Sequence, residues 1–131
     1  MPKASKQSAS HTESMEGFEG HYENFDGGYT VGFESYGADA DMALVFQGLP
    51  DDACQSEHWG YLFKGSFRVG LTDGSEMTVS AGEAYYLPPG HRVQAVEDVE
   101  LVEFSPLEEF GRTMAQVEKN TASMKDEVNA S

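Results

Sequence analysis

Three of the residues best able to do chemistry in this chain are spaced so that they can meet. Cys54 is the only cysteine, His58 follows it four residues later in "CQSEHWG", and His91 follows directly on "PPG". Side chains alternate along a strand, so residues 52, 54, 56, 58, 60 and 62 share one face. Cys54 and His58 then point the same way, and a closed β structure would bring His91 to them. One sulfur and two imidazoles suit Zn²⁺ with a fourth position open to water. Asp52 or Glu57 would add an oxygen ligand, or a hydrogen bond that orients a ligating imidazole. Without a metal, His58 or His91 could act as a general base near neutral pH. The plainer alternative is a buried thiol serving as a small hydrophobe beside two hydrogen-bonded histidines. Tyr86, Arg92 and Gln94 flank His91 and are candidates for a substrate pocket. Arg92 would suit an anionic substrate, or would form a surface ion pair. His11 and His21 read as solvated, with His21 a candidate lid.

Short strands must position these groups. "YTVGFESY" (29–36), "DMALVFQGL" (41–49), "HWGYLF" (58–63), "SFRVGL" (66–71), "EMTVS" (76–80), "AYYL" (84–87), "RVQAV" (92–96) and "VELVEF" (99–104) are separated by turn signals. Among those turns are Lys64-Gly65, Asp73-Gly74 and Pro88-Pro89-Gly90. The pattern predicts an antiparallel sandwich or barrel. If His58 faces inward, Trp59, Tyr61 and Phe63 face outward, and so many aromatics call for a covering element or a second subunit. The chemistry changes at Ser105-Pro106, followed by Glu108: a capping box with proline at the first helical position. Leu107, Phe110, Met114, Val117, Thr121, Met124 and Val128 then form one helical stripe. That stripe suits a helix lying on its own barrel or, alternatively, one packed on a partner. Residues 1–20 read as a disordered tail, 21–105 as the β domain and 106–128 as the helix.

Composition narrows the function. The chain has 131 residues, 23 Asp plus Glu against 8 Lys plus Arg, and a net charge of −15. Such a chain repels nucleic acid and anionic membranes. No apolar run reaches the ~20 residues of a membrane helix. The N-terminal "MPKASKQSASHTES" has no signal core, so the expectation is a cytoplasmic protein.

"GYLFKGSFRV", "DGSEMTVSAGEAYYLPPGH" and "VELVEFSP" resemble the two motifs of the cupin family and the spacer between them. The resemblance implies an all-β antiparallel jelly-roll barrel with a central pocket, here followed by a C-terminal α-helix. Relatives usually hold a metal on a His-x-His pair, a glutamate and a second-motif histidine. In this chain the position seven before Gly65 is His58 rather than a glutamate, and the His-x-His place holds Asp52 and Cys54, or Asp51 and Ala53 with the longer spacing. His91 stands two residues earlier than in many relatives. The usual ligand set is therefore absent, and the expectation of one divalent metal, zinc by ligand type with iron or manganese as alternatives, rests on Cys54, His58 and His91 converging in such a barrel. A metal held there would make the protein a metal-dependent enzyme acting on a small organic molecule. The alternatives are a non-catalytic binding or sensing module and an interaction protein. A homodimer is the expected assembly, since a barrel this small gains stability by association.

Overall fold

The computed structural model describes residues 3–38 and 47–130. Their strands are β1 (His11–Met15), β2 (Phe18–Phe25), β3 (Tyr29–Tyr36), β4 (His58–Lys64), β5 (Ser66–Leu71), β6 (Glu76–Ser80), β7 (Ala84–Leu87), β8 (His91–Ala95) and β9 (Val99–Pro106). One helix follows, α1 (Leu107–Ala130). Every pairing is antiparallel. The strands form a six-stranded sheet in the order β1-β2-β3-β9-β4-β7 and a three-stranded sheet in the order β6-β5-β8. Leu62, Leu87, Val99 and Leu101 of the larger sheet pack with Phe67, Val69, Val79, Val93 and Ala95 of the smaller one in a single buried cluster.

Local chemistry explains the turns. Gly65 sits at φ 82°, and a Cβ there would strike the Asp98 carbonyl, so only glycine joins β4 to β5 at this point. Gly74 at φ 90° closes the β5–β6 hairpin, with Asp73 Oδ1 accepting from the Ser75 amide at 2.8 Å.

Two expectations need correction. The proposed tail to residue 20 gives way from His11 onward to β1 and the start of β2, which pair from His11↔Tyr22 to Met15↔Phe18. Their alternation is hard to read because the inward positions of β2 are Phe18, Gly20 and Tyr22. A Cβ at Gly32 of β3 would lie 2.7 Å from the Tyr22 ring, so glycine replaces an apolar residue to make room for it. The helix also starts one residue late. Pro106 still pairs with Tyr29 in the sheet, and the Leu107 amide donates to the Gly28 carbonyl at 2.8 Å. The Ser105 hydroxyl is not spent on a cap; it meets His58 Nδ1 at 2.6 Å. The run Met42–Phe46 and the stripe side chains Thr121, Met124 and Val128 lie outside the described residues.

At one end of the larger sheet the usual polarity is inverted. Outward positions carry Phe33, Phe104, Trp59, Tyr61 and Tyr86, and the rings of Trp59 and Tyr86 lie 5.4 Å apart. Inward positions carry Thr30, Glu34, His58, Glu103 and Ser105, all buried. The stripe of α1 packs on its own barrel over this end, with Thr113 and Val117 buried and Phe110 and Met114 beside them.

Candidate metal centre

An isolated antiparallel bridge pairs Cys54 with His91. The Cys54 amide donates to the His91 carbonyl at 3.0 Å, and the Gly90 amide donates to the Cys54 carbonyl at 2.8 Å. Directly paired residues send their side chains to the same face, so the bridge sets thiol beside imidazole. Period-two alternation along 54–58 adds His58. Its Nε2 lies 3.5 Å from Cys54 Sγ, and the two imidazole centroids are 5.0 Å apart in an edge-to-face contact. One ligand atom from each of the three residues falls within 4.8 Å of the other two.

The outer ring nitrogens fix how the imidazoles face inward. Pro88 O can only accept, so the 2.7 Å contact from His91 Nδ1 puts the proton on Nδ1 and leaves the Nε2 lone pair free. His58 Nδ1 meets Ser105 Oγ at 2.6 Å and lies 3.7 Å from Glu103 Oε2. That arrangement turns the Nε2 of His58 toward the thiol. The distance to Glu103 would admit an ion pair, but burial pushes His58 down to about 4, so it is a contact to a neutral ring. Burial, together with the neighbouring His58, pushes His91 down to about 3. Burial raises the Cys54 thiol to about 12. The metal-free site is therefore a neutral S–H beside two neutral imidazoles. This donor set fits a borderline divalent ion such as Zn²⁺, because both imidazoles and the sulfur line one cavity and both ring orientations are already held from behind.

The remaining candidates lie elsewhere. Asp52 is exposed, and its Oδ1 accepts from the Gly48 amide at 3.0 Å. Glu57 accepts from the Tyr86 hydroxyl at 2.6 Å on the outer surface. Neither joins the cluster. Tyr86, Arg92 and Gln94 are not pocket residues. With His91 inward, alternation turns 92 and 94 to solvent and sends Val93 and Ala95 inside, while Tyr85 rather than Tyr86 faces in. The Arg92 guanidinium binds the Asp51 carbonyl. His21 packs in β2 with Nδ1 3.2 Å from Thr12 Oγ1, away from the cavity. A second grouping, His11 with Glu13 and Glu118, sits exposed where β1 meets α1; its 2.7 Å His11–Glu13 contact is a surface pair.

Sequence reasoning missed the wall behind His58. Glu34 and Glu103 are both buried and hydrogen-bonded to one another. The Tyr22 hydroxyl donates to Glu34 Oε2 at 2.5 Å, Tyr36 to Glu34 Oε1 at 3.3 Å and Tyr85 to Glu103 Oε1 at 2.7 Å. Burial first, and the Glu103 carboxyl second, push Glu34 up to about 8; burial also raises Glu103. Two carboxyls this close share a proton. One available signal was the glycine in a strand. A Cβ at Gly60 would lie 2.5 Å from the Tyr85 ring, so that glycine exists to seat a tyrosine whose hydroxyl serves Glu103.

The cavity bounded by these groups offers about 40 Å³. Phe110, Thr113, Met114 and Val117 of α1 form one side of it.

No protein-family profile matches the chain, and no curated protein matches it in sequence. Several solved structures match its fold. Oxalate decarboxylase from Bacillus subtilis superposes with a TM-score of 0.57 at 19% identity, covering 73% of this chain and 27% of that one. This chain thus spans about a quarter of that protein's length. An RmlC-like cupin from Shewanella frigidimarina gives 0.53 at 17% identity, covering 73% of this chain and 83% of that one. KdgF from a Halomonas species gives 0.53 at 21% identity, covering 73% and 86%. Identities this low report a shared fold. Among the described residues, no helix is long and apolar enough to cross a membrane.

Proposed function

We propose, for a chain that has the cupin fold, that the barrel interior holds one divalent metal on Cys54 Sγ, His58 Nε2 and His91 Nε2, and that this centre acts on a small organic molecule. The observation that carries this reading is the convergence of the three ligand atoms within 4.8 Å on a buried face. Bound there, zinc would act as a Lewis acid or lower the pKa of a bound water. The chain's own contribution is positional. Pro88 and Ser105 meet the two Nδ1 atoms, which leaves both Nε2 atoms for the ion. Glu103, steadied by Tyr85, backs His58 from the far side. Phe110 packs edge-on against His58 at 5.9 Å and helps exclude water. The fold-matched structures include proteins named as enzymes, oxalate decarboxylase among them, which supports catalysis here without selecting a reaction.

The test is elemental analysis of protein purified without an affinity tag. One equivalent of metal is expected in the native chain, with most of it lost in His58→Ala and in His91→Ala. A native protein that takes up no metal from zinc-, iron- or manganese-supplemented medium would end the metal reading.

A homodimer belongs to the same proposal. Trp59, Tyr61, Tyr86 and Phe104 are each about two-fifths exposed on one sheet face. Cross-strand pairs place uncharged residues in two rows there: Val31, Phe104, Trp59 and Tyr86 in one, and Phe33, Val102, Tyr61 and Ala84 in the other. In a chain of charge −15, such a face is where two like-charged copies can approach. Sedimentation should return twice the chain mass for the native protein and the single mass for Trp59→Glu. A native monomer at tens of micromolar would discard this assembly.

A further inference from the structure

The cavity wall has a chemistry that the metal ligands do not use. Two carboxyls, Glu34 and Glu103, face into it. No described Lys or Arg side chain lines it, and the segment 39–46 contains neither residue type. The cations nearest in the chain are occupied outside: Arg92 on the Asp51 carbonyl, and Arg112 on Glu108 at 3.1 Å. Apart from the Thr113 hydroxyl, the rest of the lining is apolar or phenolic, including Phe18, Leu87, Val93 and Met114. An anion entering such a space leaves its hydration shell and finds no positive side chain among the described residues in return. Proton sharing between Glu34 and Glu103 changes how negative the wall is; it never makes the wall positive. Volume adds a second limit. About 40 Å³ holds roughly three waters, or a ligand of about two to four heavy atoms beside the ion.

We infer that the centre takes small uncharged molecules of about two to four heavy atoms, with carboxylates and other anions rejected by Glu34 and Glu103. The inference rests on the metal reading above and sharpens it by naming the ligand class. It separates this site from one built to bind an organic acid, where a guanidinium or ammonium group would meet the carboxylate.

Formate and formamide have the same shape and differ in charge, so they isolate the effect. Cobalt(II)-loaded protein is titrated with each at pH 7 and followed by its visible spectrum, with azide as a second anion. Formamide is expected to perturb the spectrum at lower concentration than formate, the reverse of the order for an open cobalt(II) site. In the isosteric double variant Glu34→Gln/Glu103→Gln, formate and azide affinity should rise about tenfold or more, because both carboxyls that line the cavity give way to uncharged amides in a poorly screened site. Formamide affinity should change little. The wild-type comparison stands alone if the double variant fails to fold. Native protein that loads cobalt and prefers formate overturns this inference and leaves the metal reading intact. So does a folded double variant with unchanged anion affinity. Protein that takes up no cobalt overturns both.

Discussion

Cys54→Ala should bind zinc about a thousandfold more weakly than the native chain, or worse, and should lose the pH dependence of binding. Loss of affinity follows from removing one of three donors in a site whose other two are neutral. The pH dependence follows from the protons each ligand must give up. Burial holds the Cys54 thiol at about 12 in the metal-free protein, so coordination must expel its proton. His58 at about 4 and His91 at about 3 are already neutral and release none. Between about pH 5 and 8 one proton therefore leaves per ion bound, and native affinity should rise about tenfold per pH unit. The alanine variant should show a flat profile in the same window. Competition against a chromophoric chelator at three pH values measures both quantities. A native slope near zero would mean that sulfur is not a ligand. A slope near three would mean that the imidazoles are not held neutral.

Val117→Asp is expected to cost about 3 kcal/mol of stability or more, a large share of the roughly 5–15 kcal/mol of a typical domain. Val117 is 6% exposed and joins the barrel cluster through α1. Its replacement would bury a carboxylate in the cavity that Glu34 and Glu103 also line, where no described Lys or Arg side chain stands. Lys119→Ala, two residues further on an exposed face, should change stability by about 0.5 kcal/mol at most. Urea melts at two protein concentrations decide whether the helix docks on its own barrel. The loss should be independent of concentration; a loss that vanishes on dilution would assign the helix to a partner.

β3 and the run of strands β4 to β9 were legible because Phe67, Val69, Leu71 and their neighbours alternate between glycine turns. Cys54 and His58 shared a face for the same reason. Their meeting with His91 depended on a long-range bridge that no local pattern encodes. Glu34 and Glu103 escaped because nothing in "FESY" or "LVEF" marks their glutamates as buried, and a strand glutamate ordinarily faces water. In this sheet end the aromatics face out and the acids face in, so a rule that sends polar residues to solvent fails where the chemistry lies. β1 and β2 escaped because β1 is a polar edge strand and β2 gives up an inward position to Gly20. Ser105 was assigned to a helix cap on good grounds, yet the imidazole of His58 claims its hydroxyl.

The helix that walls the cavity lies downstream of every strand it covers. The strands pair with one another and not with α1, so the cavity closes only when the helix docks across it. Once the helix has docked, later exchange must wait for it to lift.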